Sequence, residues 1–146
     1  VTGRLTIWGA GQLLTSYFSQ TTTPPQEFYL ALICTVAPTP YLSGAELDEP
    51  TNSDYARVLI ENDLAHWSNA SQPQIIANVV PSQFITATSD WGLISYWALT
   101  NAPVDGYNLI IGDLANPVII NTGDQARFED GDLTVSLGPF LLDEEE

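Results

Sequence analysis

The sequence predicts a mostly β domain, an antiparallel β-sandwich of about eight strands preceded by one short N-terminal α-helix. Three observations carry this expectation. Helical spacing of apolar residues occurs only near the start of the chain. Beyond Pro24-Pro25 the apolar runs are short and rich in β-branched and aromatic residues, and each run is bounded by Gly, Pro, Asn or Asp. With 146 residues, 45% of them hydrophobic and 14% charged, the chain suffices for one core and is too apolar for disorder. One domain over 1–146 is expected, with a helix and arm over 1–20, the sandwich over 26–137, a long acidic loop over 37–54 and an acidic tail over 138–146.

The helix rests on Ala10, Leu13, Leu14, Tyr17 and Phe18, and the Thr-rich stretch before Pro24-Pro25 ends it. Gly9 and Gly11 each cost about 1 kcal/mol relative to Ala, which places the firm part of the helix from Gln12 onward. Strands are expected over Phe28 to Val36, Tyr55 to Glu61, Ile75 to Val80, Phe84 to Thr88, Trp91 to Leu99 and Asn108 to Leu114. Two more follow, one combining Val118 to Ile120 with Ala126 to Phe128 and one over Leu133 to Leu137. In the last, Leu133, Val135 and Leu137 share one face, as a strand with one buried side requires. Asp105-Gly106, Thr122-Gly123-Asp124 and Asp130-Gly131 supply residues suited to tight reversals.

The stretch 37–54 carries Pro38, Pro40 and Pro50 and little periodicity, so it reads as a long exposed loop serving as a contact arm. Its candidate contact residues are Pro38, Pro40, Tyr41, Leu42, Glu46, Asp48 and Glu49. The terminal run Asp143, Glu144, Glu145 and Glu146 joins them as a segment expected to dock on a basic surface.

Eighteen Asp and Glu stand against three Arg and no Lys, a formal net charge of −15. Nucleic acid is therefore not an expected partner, because neutralising phosphates takes a basic stripe. An anionic membrane is disfavoured on the same ground, and no apolar run reaches the roughly 18 residues of a membrane span. The N-terminus shows no basic region of a signal peptide. Cys34 is the only cysteine, so no intrachain disulfide forms, and its apolar surroundings predict an inert thiol.

Catalytic chemistry finds little support. His66 is the only histidine, and no nucleophile elbow accompanies it. One His and one Cys cannot build a tetrahedral metal site. Glu129-Asp130-Gly131-Asp132 offers carboxylates around a turn, but it lacks the spacing of a calcium loop and reads as an acidic β-turn. Trp8, Trp67, Trp91 and Trp97 are expected in the core rather than on a carbohydrate platform. No enzyme activity and no cofactor are expected. Arg57 is more informative: it interrupts an apolar run in a chain nearly without cations, so its guanidinium needs a carboxylate or several carbonyls. Asp54 and Asp90 are the expected partners of a structural ion pair.

Several segments in order carry a resemblance. They are Thr23 to Leu32 with its Thr-Pro-Pro and Tyr-Leu-Ala-Leu, Tyr55-Ala56-Arg57, and Ala87-Thr88-Ser89-Asp90-Trp91-Gly92, followed by a glycine-bounded hairpin, Asn121-Thr122-Gly123-Asp124 and Leu133-Thr134-Val135. The chain resembles small tailed-bacteriophage virion proteins, both those labelled tail fibre proteins and jelly-roll head-decoration or cement proteins. The resemblance implies a jelly-roll-like sandwich and a structural role in the virion. The preferred expectation is a cement protein on the head surface, made in the host cytoplasm, that bridges major capsid protein subunits as a dimer or trimer of itself. The alternative is a tail-associated protein that binds a host receptor through aromatic residues at loop tips.

Overall fold

A computed structural model describes residues 2–69 and 75–137. The chain is mostly β, built on one curled seven-stranded sheet and one two-stranded sheet. β1 (Thr2–Leu5) leads into α1 (Ile7–Leu14), and a single π-helical turn follows over Thr15–Ser19. Then come β2 (Glu27–Ile33), β3 (Val58–Glu61), β4 (Ile75–Ala77), β5 (Ser82–Thr86) and β6 (Gly92–Thr100). β7 (Asn108–Ile120), β8 (Gln125–Phe128) and β9 (Thr134–Ser136) complete the chain's strands among the described residues. The large sheet runs β3-β2-β6-β7-β1-β9-β4, and β5 pairs with β8.

The sheet is mixed, which corrects the antiparallel sandwich expected from sequence. β1 lies antiparallel to β7 and parallel to β9. Four residues with a Gly and an Arg among them carry no strand signature of their own, and only their position between two longer-range partners makes them one. β7 likewise joins two segments that the sequence separates. Opposite it, Tyr96 pairs with Asp113 but Ile94 with Val118, so extra residues bulge out of β7. Pro117 sits in that bulge, where its missing N–H interrupts no ladder.

The helix begins earlier than Gly9 and Gly11 predict. Thr6 is its N-cap and accepts from the Gly9 N–H at 3.0 Å, while its own hydroxyl donates to the Asn108 carbonyl. Gly9 is required rather than merely tolerated, because a Cβ there would fall 2.3 Å from the Leu109 carbonyl oxygen. Glycine thus lets the first turn lie directly on β7. The helix ends through the π-helical turn, with Gln20 in the left-handed region at φ 57°.

The sheet buries both faces. Leu30 and Leu32 of β2 point into the main core with Trp97, Leu99, Trp91 and Ile94, which the β5–β8 pair covers through Phe84 and Phe128. Ala31 and Ile33 face the other side with Ala98 and meet Leu47 of the 37–54 segment. Each large side chain so buried stabilises by about 1.5–3 kcal/mol relative to exposure. Three of the four tryptophans are core residues, as expected, and Trp8 packs half-buried against the same cluster.

A row across three strands fixes the centre of the sheet. Trp97 on β6 faces Gly112 on β7, and Gly112 faces Gly3 on β1. The indole, wholly buried, lies flat over both glycines: a Cβ on Gly112 would come within 2.6 Å of the ring and one on Gly3 within 2.5 Å. Gly112→Ala is expected to destabilise by about 1–3 kcal/mol, since close-packed neighbours cannot withdraw. Gly11→Ala, where a Cβ meets nothing, should stabilise the exposed helix by up to about 1 kcal/mol. Urea unfolding midpoints of the two variants should move in opposite directions; equal shifts would refute the packed row.

Candidate functional site

Arg57 lies immediately before β3, and its side chain is 3% exposed. Nε and Nη2 bind the two carboxylate oxygens of Glu49 at 3.0 and 2.6 Å. Nη1 donates to Thr100 Oγ1, the Ala102 carbonyl and the Asp105 carbonyl at 3.1, 2.8 and 2.9 Å, and Nη2 also reaches the Gly44 carbonyl at 3.1 Å. The planar fork is thereby saturated, as burial of a guanidinium demands. Tyr55 supports the pair: its hydroxyl donates to Glu49 Oε1 at 2.7 Å and accepts from the Leu32 N–H at 3.0 Å. Desolvation, then the charge of Glu49 and the hydrogen bond to it, push this hydroxyl far above the ordinary tyrosine range, so it stays a donor.

The partner of Arg57 is Glu49, not Asp54 or Asp90. Asp54 is occupied by a turn: it accepts from Thr88 N at 2.7 Å, Thr88 Oγ1 at 3.0 Å, Ser89 Oγ at 2.9 Å and Trp91 Nε1 at 3.0 Å. Asp90 accepts from Thr122 N and Oγ1 at 2.7 and 2.9 Å. Asn52 adds bonds to Ser89 Oγ and the Asp90 carbonyl, both at 3.0 Å. The Asp-Trp-Gly and Asn-Thr-Gly-Asp segments are therefore joined into one polar lock beside the core.

The 37–54 segment is a strap rather than a free arm, and its acids are engaged within the chain. Asp48 accepts through one oxygen from the N–H groups of Thr35 and Val36, each at 3.0 Å, and its carbonyl accepts from Cys34 N at 2.7 Å. Glu46 closes a capping box on Ser43, with Oε1 2.9 Å from Ser43 N. The Pro40 carbonyl accepts from Ile7 N at 3.1 Å, and Leu42 and Ser43 carbonyls receive the buried Asn108 amide at 2.8 and 3.2 Å. Pro38 and Pro40 border a shallow groove with Arg4 and Ile111. Of the strap's predicted contact residues, Tyr41 stands clear of the surface at 80% exposure. The predicted contact run Asp143 to Glu146 lies outside the described residues.

What the Arg57 cluster positions is a loop end. The strap's Gly44 N–H bonds the Gly106 carbonyl at 2.8 Å, and Ser43 bridges to Tyr107. Asp105 and Gly106 both take positive φ, 56° and 69°, in the reversal predicted there. This places Tyr41, Val104 and Tyr107 at one end of the sheet, all exposed, and Tyr107 stacks on Trp8 with centroids 4.8 Å apart and planes within 6°. Sequence reasoning did not single out Val104 or Tyr107. The signal was present, since apolar residues flanking an Asp-Gly turn have no core to enter.

The remaining candidates resolve into local structure. His66 Nδ1 pairs with Asp63 Oδ1 at 2.6 Å, three residues away, and this bond holds the Asp63 carboxyl below its usual range. Asp132 accepts from Glu129 N at 2.8 Å, and Glu129 pairs with Arg127 Nε at 2.7 Å. Among the described residues no group of three or more His, Cys, Asp or Glu converges as a metal set. Burial, with Asp48 and Glu49 nearby, raises the Cys34 thiol, which disfavours its thiolate. An open cleft of about 600 Å³ runs between the β7 bulge and β8, floored by Leu32, Ile94 and Phe128. Arg127 on its rim is already held by Glu129 and by Gln83 at 2.6 Å.

A family model described as podophage GP4 fiber I protein gp80 matches residues 5–136 of the chain. No curated protein matches it.

Arg57→Leu leaves Glu49 buried without its cation and should cost about 3–5 kcal/mol in denaturant unfolding. The double replacement with Glu49→Leu should recover part of that loss, and a single-variant loss below about 1 kcal/mol would refute the role. A second expectation concerns acid. Desolvation raises the Asp54 carboxyl, but its four hydrogen bonds outweigh this and hold it well below the usual range. A depressed folded-state value means the contribution is full above the unfolded value of about 4 and fades as pH falls below it. Unfolding midpoints measured between neutral pH and about pH 3 should therefore drop with acid, and Asp54→Asn should flatten that drop.

Proposed function

The chain belongs to the family described as podophage GP4 fiber I protein gp80, and from that premise we propose that it is a non-enzymatic, tail-associated fibre component of the virion that contacts the host surface. The observation that carries the reading is the extent of the family match, which takes in the helix, the strap and every strand from β2 to β9. Family membership makes the protein a structural component of a phage particle. The fibre description favours the tail, the second of the two expectations drawn from sequence, over the head-surface clamp that was preferred there. Nothing in the comparison supports capsid decoration.

The loop end held by Arg57 is the contact surface in this reading. Tyr41 and Val104 present apolar and aromatic area to solvent, and Tyr107, stacked on Trp8 by one face, adds its other half. Their backbones are fixed by the strap and by the guanidinium, so little ordering entropy opposes binding. Aromatic side chains on rigid loops suit a receptor with apolar or sugar faces.

Antibody labelling of intact particles should place the protein at a single vertex; uniform label over the shell would overturn the tail assignment and restore the head reading. Particles carrying Tyr41→Ala with Tyr107→Ala should adsorb to host cells tenfold more slowly or worse, the effect of removing about 1.4 kcal/mol. Unchanged adsorption would remove the loop end from the contact.

A further inference from the structure

We propose that the N-terminal helical segment forms a two-fold contact between two copies of this chain, the Phe18 ring of each copy entering an apolar groove on the other. Tyr17 and Phe18 are 72% and 74% exposed, with their rings edge-to-face at 5.1 Å. Leu13 and Leu14 are also exposed on the preceding turn. The display is not a frayed end: Ser16 and Ser19 hydroxyls bond the Leu13 and Thr15 carbonyls at 3.0 and 3.1 Å, and Gln20 N–H closes on Thr15.

Beside this knob lies its complement. A groove of about 200 Å³ opens between α1 and the start of β2, lined by Leu5, Gly9, Leu13, Pro24, Pro25 and Phe28. A cavity of about 150 Å³ lined by aliphatic and aromatic residues already accepts a benzene ring, so one phenyl side chain fits this space. Leu13 belongs to the groove wall and precedes the knob on the same helical segment. Knob and groove therefore share one patch, the arrangement that closes as an isologous pair instead of an open chain.

Charge selects a second copy as the occupant. No charged residue occurs from Leu5 to Gln26, and the groove lining is equally uncharged. Two chains of net charge −15 repel each other, so they can meet closely only where no carboxylate faces another. A basic partner would be drawn instead to the acidic surface elsewhere. The exposed apolar side chains are few, Leu13, Leu14, Tyr17 and Phe18, whereas a standard interface buries about 800 Å² per partner, which implies modest affinity in solution. This inference stands apart from the tail reading, since a chain that is monomeric in solution would overturn it and leave the tail reading intact.

Sedimentation equilibrium of the full chain up to about 100 μM should show a monomer–dimer equilibrium that tightens as NaCl is raised, because salt screens the mutual repulsion. Phe18→Ser, which removes the knob, and Leu13→Gln, which alters the groove wall, should each weaken dimerisation about tenfold or more with little change in melting temperature. Ile85→Ser, exposed on β5 of the two-stranded sheet, should leave dimerisation unchanged. A wild-type chain that stays monomeric throughout would overturn the proposal and leave the patch to another virion protein. Dimers indifferent to both Phe18→Ser and Leu13→Gln would overturn it as well.

Discussion

A guanidinium taken out of water has to find its hydrogen-bond acceptors wherever the chain can bring them, and Arg57 collects them from three distant places. Glu49 and Gly44 come from the strap, Thr100 from the end of β6, and Ala102 and Asp105 from the β6–β7 loop. None of these groups lies within seven residues of Arg57 along the chain. The cluster therefore forms only when the strap, the sheet and the hairpin loop have reached their final places, and each is then held by the others. Removal of one ion from such a set leaves the opposite charge stranded, which makes the arrangement all-or-none. The exposed loop end inherits its rigidity from that buried charge.

Much of this was legible in the residues. The helix, the reversals at Asp105-Gly106 and Gly123, and the buried character of Trp67, Trp91 and Trp97 follow from spacing and chemistry. The need of Arg57 for acceptors was also visible, but their identity was not. Asp54 is nearest in sequence, yet the Thr88-Ser89 turn and the Trp91 indole outbid the guanidinium for it by offering four donors at once. β1 escaped notice because its pairing partners stand more than a hundred residues away. The strap looked like a solvated arm because a row of acids beside prolines usually is one. Two of those acids, Asp48 and Glu46, are bound by backbone N–H groups at Thr35, Val36 and Ser43, which no side-chain pattern announces.

The strap also changes how the acidity of the chain is understood. Its three clustered carboxylates act inward, on a helix-like cap, a strand end and a buried cation, while Leu47 between them seals the second face of the sheet. A net charge of −15 does not imply that every carboxylate repels its surroundings. The charge-free N-terminal segment adds a contrast: Ile7, Leu13, Leu14, Tyr17 and Phe18 are exposed there with no carboxylate of the same segment beside them.

The margins of the large sheet carry a consequence of their own. Its outermost strands are β3, four residues long, and β4, three residues long. At β4, the Ala77 N–H is taken by the Ser68 hydroxyl at 3.1 Å and the Ala77 carbonyl by the Ser68 N–H at 2.8 Å. Unpaired backbone on a long flat border would invite newly made chains to zip together strand against strand. Here the template is four residues long at β3, and at Ala77 of β4 its backbone groups are already bonded, which leaves little of either border open to another strand.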